Sequence, residues 1–281
     1  MRISPTHILL LAGALLCVEP ARAVISGQLD TFEDATSDSW VNGFGDLAVG
    51  TGGPAGAADH FLRIDADGNG AGGKLVGYNS NQWTGNFVLA GVNSIEMDLR
   101  AISITAGASV LTVRIAFRSA TGPLISAGAS GYVSSAGAVI AVDGQWHHVV
   151  FRFSSLMPIN SSGGVPPAPL NTFLRGPAEF RILHAASPSL VGDAIIASMG
   201  IDNIHAIPSL SVASFSRSAD KIMHLNFRGE PNLTYAIEAT SDLTQPYIQI
   251  GTATSAADGT FGYDDLTAPS FPKRIYRATR P

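Results

Sequence analysis

At 281 residues the chain is long enough for one large domain or two small ones. Charged residues make up only 14% and hydrophobic residues 46%, a balance that supports packed cores and argues against disorder. The net charge of −5, with no basic block anywhere, argues against a nucleic-acid partner.

The first elements in chain order belong to a leader. Arg2 precedes an apolar run from Ile8 to Val18, and Ala21-Arg22-Ala23 supplies small residues two apart. That pattern fits a signal peptide over residues 1–23, with Val24 opening the mature chain. The apolar run is too short for a membrane span. Cys17 is the only cysteine and follows Leu16 rather than a small residue, which argues against lipid attachment. No second apolar anchor follows "YRATRP". The expected location is therefore secreted, extracellular or periplasmic, with no thiol in the mature protein and no membrane span.

Beyond Val24 the hydrophobic period is two. "SIEMDLRAI" sets Ile95, Met97 and Leu99 against Glu96, Asp98 and Arg100. "SVLTVRIAFRS" turns Leu111, Val113, Ile115 and Phe117 inward and Thr112, Arg114, Ala116 and Arg118 outward. "QWHHVVFRF" sets His147, Val149, Phe151 and Phe153 against Trp146, His148, Val150 and Arg152. "AEFRILHA" sets Phe180, Ile182 and His184 against Glu179, Arg181 and Leu183. One-sided strands of this kind form antiparallel sheets packed in pairs. Gly- and Ser-rich stretches such as "GNGAGG" and "NSSGGVPPAP" separate them as loops.

The texture changes near Pro208. "KIMHLNF", "TYAIEAT", "YIQIGTA", "TFGYDD" and "RIYRA" read as short strands at close spacing, the pattern of a small second sandwich. The fold class is all-β: a larger antiparallel sandwich over residues 26–207, then a smaller one over 209–281.

Motifs for catalysis are sparse. "GASGY" does not match the Gly-x-Ser-x-Gly elbow of a hydrolase. Glu96, Asp98 and Glu179 occupy alternating strand positions where solvated acids are expected, so a glycosidase pair is not evident. His147 and His148 point to opposite faces and cannot share a metal. "DADGNG", Asp65 to Gly70, matches the opening of a calcium loop, but its twelfth position is Val76, where a Glu is required. A hairpin loop fits better. The expectation is a protein that is not an enzyme. Aromatic faces flanked by polar groups hold sugars. Trp83, among Asn and Gln in "NSNQWTGNF", suits such a platform or else closes the core. The outward arginines Arg114, Arg118, Arg152 and Arg181 form a second candidate platform.

"LDTFEDATSDSW", "GQWHHVVFRF" and "GIDNIHAI" together resemble bacterial jelly-roll carbohydrate-binding modules of the galactose-binding-like fold, over Leu29 to Ile207. "LTYAIEATSDLTQPYIQIG", with "GTFGYDD" and "KRIYRA", is similar to a small fibronectin-III-like module, although Tyr247 stands near the place usual for a Trp. The first resemblance implies that the first and last strands of the larger domain lie side by side and that Glu33 and Asp202 bind a structural Ca²⁺, with Asp34 and Asp59 as further candidates. Carboxylates about 5 Å apart repel by roughly 3 kcal/mol at an effective dielectric near 20, and a cation removes that cost. It also implies extracellular polysaccharide as the partner, with Trp83, Trp146, Arg114 and Arg181 as candidate ligand contacts. A structural or adhesive envelope protein is the alternative, and a β-sandwich glycan hydrolase or lyase a third reading.

Overall fold

The computed structural model describes residues 23–42, 47–69, 73–105, 109–121, 129–160 and 166–280. The expected signal peptide up to residue 22, with Cys17, lies outside these residues, as does Gly70 of the Asp65–Gly70 turn. Among the described residues no helix is long and apolar enough to cross a membrane.

The strands are β1 (Leu29–Asp30), β2 (Val41–Asn42), β3 (Leu47–Gly53), β4 (Gly56–Asp67), β5 (Val76–Asn79), β6 (Val92–Ile104), β7 (Val110–Arg118), β8 (Ser130–Ser134), β9 (Ala138–Ala141) and β10 (His147–Arg152). They continue with β11 (Leu156–Asn160), β12 (Glu179–His184), β13 (Ile196–Pro208), β14 (Ser211–Arg217), β15 (Met223–Arg228), β16 (Thr234–Thr240), β17 (Ile248–Thr254), β18 (Thr260–Asp265) and β19 (Ile275–Thr279). A six-stranded antiparallel sheet runs β10-β6-β13-β4-β3, with β1 added along β13. A seven-stranded sheet runs β11-β8-β7-β12-β5-β2, with β9 also paired to β7. The fold is an antiparallel β-sandwich, as the alternating strands predict.

The inward residues are those the period-two pattern selects. Leu62 and Ile64 of β4, Ile95, Met97 and Leu99 of β6, and Met199 and Ile201 of β13 are buried from one sheet. Leu111, Val113, Ile115 and Phe117 of β7, with Phe180 and Ile182 of β12, meet them from the other. Each such burial contributes about 1.5–3 kcal/mol. β1 pairs with β13, Leu29 opposite His205 and Asp30 opposite Ile204, so the first and last strands of this sandwich lie side by side.

After Pro208 the chain forms two further three-stranded sheets, β14-β15-β18 and β17-β16-β19. They enclose their own apolar cluster of Leu225, Phe227, Tyr235, Ile237 and Phe261. β14 was not visible in the hydrophobic pattern, because all seven of its residues are exposed and no face alternates.

The outer face of the seven-stranded sheet corrects one expectation. Arg114, Arg118 and Arg181 are not solvated; they are 5%, 0% and 0% exposed. Leu190 and Ala185, from the segment after β12, pack with Val76, Ala116, Val133 and Leu183 over that face. The six-stranded sheet keeps an outer face with exposed Arg63, His148 and Arg152.

Candidate functional site

Trp146 immediately precedes β10. β10 pairs with β6, His147 opposite Leu99 and His148 opposite Asp98, so the same register brings Trp146 opposite Arg100. Arg100 in turn pairs with Gly200 of β13, and Gly200 with Arg63 of β4. The outer face thus carries a row Trp146, Arg100, Gly200, Arg63. The missing side chain at Gly200 is what lets the indole lie down. A Cβ there would sit 2.8 Å from Trp146 Cη2 and 3.1 Å from Phe61 Cδ2. Gly50 makes the same allowance for Phe61, with a Cβ 2.9 Å from Cζ. The two rings meet edge to face, centroids 5.2 Å apart. Trp146 Nε1 donates to the Gly52 carbonyl at 3.2 Å. Gly52 is on β3, four strands from β10; at about 4.8 Å per strand an indole cannot reach it across a flat sheet, so the β3–β4 hairpin arches over this face. Trp146 stays half-buried.

The charges on this face are mostly engaged. Arg63 Nε donates to Asp65 Oδ1 at 3.0 Å, and Asp65 also accepts from Ser198. Asp98 Oδ2 accepts from Asn203 Nδ2 at 2.8 Å and its Oδ1 lies 3.1 Å from His148 Nδ1. Arg100 differs. It is half-buried, its Nε is buried with no hydrogen-bond partner, and no ion pair engages it among the described residues.

Beside the row lies an acidic corner. Asn203 has φ of 51° and marks a register break between Asp202 and His205. This bulge explains the adjacent acid and amide: Asn is one of the few residues tolerant of the left-handed region, and Asp202 Oδ1 accepts its N–H at 2.7 Å. Asp202 is 1% exposed. Burial, reinforced by the negative charges of Asp59, Asp98 and Glu33, pushes its carboxyl up to about 7, opposed only by that N–H. Glu33 contributes the smallest of these three charges, after Asp59 and Asp98. Glu33 Oε1 accepts from the His60 N–H at 3.1 Å, which holds Glu33 below the usual range. Asp59 is raised by burial and by its hydrogen bond to Glu33. Asp34 is turned elsewhere, accepting from the N–H and hydroxyl of Thr36 at 2.9 and 2.8 Å. Among the described residues no three His, Cys, Asp or Glu side chains form a set able to hold a metal ion.

No family model and no curated protein matches the chain. Among solved structures, the N-terminal CBM22 tandem domain of a Paenibacillus barcinonensis protein aligns over 93% of this chain and 92% of its own, with 11% identity and a TM-score of 0.36. A carbohydrate esterase from the Shiga toxin-encoding bacteriophage phi24B aligns over 63% and 98%, with 14% identity and a TM-score of 0.35. A β-1,2-glucanase from Parabacteroides distasonis aligns over 84% of this chain and 34% of its own, with 14% identity and a TM-score of 0.29. Scores and identities this low do not bear on ligand or activity.

Three sequence-predicted ligand contacts lie inside the molecule. Trp83 is 0% exposed and packs on Trp40 and Phe180 with centroids 6.3 and 5.4 Å away. Its Nε1 and that of Trp40 both donate to Asp30 Oδ2, at 2.6 and 2.8 Å. It closes the end of the core and is no platform. Arg114 donates to the carbonyls of Ala185, Ser134, Ser135 and Ala186. Arg181 and Arg118 both bond the buried Glu179, at 2.5 and 3.0 Å. These arginines are structural cross-ties, since a buried charge is tolerated only when paired or fully hydrogen-bonded. Of the predicted contacts only Trp146 reaches solvent. Sequence reasoning placed Arg100 outward without selecting it, and missed Phe61 and Gly200. The available signal was Gly200 itself: a glycine inside an apolar strand marks a close approach.

Proposed function

We propose that the chain is a secreted, non-catalytic glycan-binding protein that holds polysaccharide on the outer face of the six-stranded sheet. One observation carries this reading: Trp146 lies half-exposed over the glycine floor at Gly200, braced by Phe61 and tethered to the Gly52 carbonyl. An indole held in place against a rigid sheet by Phe61 and the Gly52 carbonyl offers a sugar ring an apolar surface whose ordering cost is already met by the fold. Hydrogen-bonding groups at its margin, Arg100, Arg63 and Asp98, supply the polar contacts that orient a sugar. The carboxylates Asp98 and Asp65 are bound to neighbouring side chains rather than presented as an acid–base pair, which favours binding over hydrolysis.

In this reading Ca²⁺ stabilises the acidic corner, with Glu33 and Asp202 as carboxylate ligands and backbone carbonyls completing the shell. Their donor chemistry, oxygen only, suits that ion. Its role is to stabilise the ionised Asp202 carboxylate, which burial first and then the charges of Asp59, Asp98 and Glu33 disfavour.

Affinity electrophoresis in gels cast with soluble polysaccharides tests the proposal. Retardation that Trp146→Ala removes supports it; no retardation in any polymer, with calcium present, contradicts it. A second reading, an adhesive envelope protein, is favoured by the wholly exposed strand β14, where Val212 and Phe215 are 52% and 70% exposed.

A further inference from the structure

The identity of the sugar can be narrowed from one side chain. We propose that this face selects acidic polysaccharide, a uronan, and that Arg100 is the residue that binds the ligand's carboxylate. The inference rests on the glycan-binding reading above and goes beyond it by naming the ligand's charge.

The argument is one of unspent charge. A guanidinium has five N–H donors and stays protonated. Burying its Nε without an acceptor is costly, and native proteins seldom leave such a donor alone. The charged groups nearest it in the row already have partners: Arg63 has Asp65, and Asp98 has Asn203 and His148; Arg152, farther along β10 on the same face, is exposed to solvent. Arg100 alone in this row has neither a hydrogen bond nor an ion pair among the described residues. It lies in register with Trp146 on one side and Gly200 on the other. A sugar ring seated on the indole therefore brings its ring substituents toward the guanidinium of the residue in register beside it. A planar carboxylate matches the guanidinium fork and can accept two parallel hydrogen bonds. A hydroxymethyl group at the same place offers a single neutral oxygen. A sulfate ester shares the negative charge, so the test must separate carboxylate recognition from general attraction to anions.

The experiment compares polygalacturonate with its carboxyl-reduced product, using the full mature chain and titration calorimetry at fixed ionic strength. Dextran sulfate serves as the sulfated arm. The expected result is an affinity for polygalacturonate at least about tenfold above that for the reduced polymer, the scale of a charge-assisted, bidentate contact. In Arg100→Gln that ratio falls to about one, and in Arg100→Lys it recovers only in part because the fork is lost. A thermal melt of Arg100→Gln at or above that of the native chain shows that the variant folds. Equal affinity for the acidic and reduced polymers overturns the uronan proposal while leaving glycan binding standing. Dextran sulfate bound as tightly as polygalacturonate, with no effect of Arg100→Gln, overturns it in favour of general anion adsorption. Failure of every polymer to bind overturns both readings.

Discussion

Gly200 lies directly beneath Trp146: a Cβ on the glycine would stand 2.8 Å from the indole's Cη2. Phe61 borders the same space, 3.1 Å from that Cβ. Gly200→Val should therefore lift the indole off the sheet. Small-to-large changes at such a contact cost about 1–3 kcal/mol. We expect a lowered melting temperature, a change in Trp146 fluorescence and loss of polysaccharide retardation. A variant that melts and binds like the native chain would show that the indole does not depend on this floor.

Asp202 gives a pH dependence with a definite sign. Its folded-state carboxyl sits near 7, above the ordinary 3.8. In the window between those values the folded protein holds a proton that the unfolded chain has released. Stability without calcium therefore falls as pH rises from about 4 to 7, by roughly 2–4 kcal/mol from this group alone. Asp202→Asn should remove that part of the slope. A residual slope should come from Asp30, which burial raises to about 6 against the hydrogen bonds of two indoles. Melting temperatures across pH 4–8 in EDTA check this; a rise in stability over the window would refute the assignment.

Calcium should act on the same group from the other direction. At pH 7.5 Ca²⁺ is expected to raise the melting temperature by the mass-action term for a ligand bound only by the folded state. Asp202→Ala should abolish that sensitivity, and Asp34→Ala should leave it intact because Asp34 is engaged with Thr36. Identical melts with EDTA and with excess Ca²⁺ would dispose of the metal.

The contact between the sandwich and the sheets after Pro208 rests on few groups. His205 lies 3.1 Å from Glu96 and 3.3 Å from Glu230, and Arg280 spans the same two carboxylates at 3.4 and 3.2 Å. Pro231 packs against Gly27, where a Cβ would come within 2.8 Å of its Cδ. Glu230→Ala should weaken this junction and speed proteolytic cutting near Ser209–Leu210 several-fold. Unaltered cutting would place the junction's stability elsewhere.

The hydrophobic rhythm of β6, β7 and β12 was enough to assign every inward residue from Ile95 to Leu99 and from Leu111 to Phe117. What it could not tell was whether the opposite face is wet. Arg114 and Arg181 alternate as solvated residues do, yet Leu190 and Ala185 cover their face from a loop no local pattern connects to it. Trp83 looked like a loop residue because Asn and Gln surround it, whereas its indole is directed inward by Asp30, more than fifty positions earlier in the chain. The pairing of β1 with β13 was legible only through the resemblance, since nothing local joins strands so far apart in the chain. Arg100 was placed on the right face but not recognised, because a missing partner leaves no trace in sequence.

Trp40 and Trp83 are each 1% exposed or less, so Trp146 supplies the accessible tryptophan of this three-tryptophan chain. Acrylamide quenching of the intrinsic fluorescence, with and without saturating polysaccharide, therefore reports directly on the proposed face. Ligand should shield the quenchable component, and Trp146→Phe should remove that component altogether. A polymer that binds while quenching stays unchanged would place the ligand somewhere other than the Trp146 face.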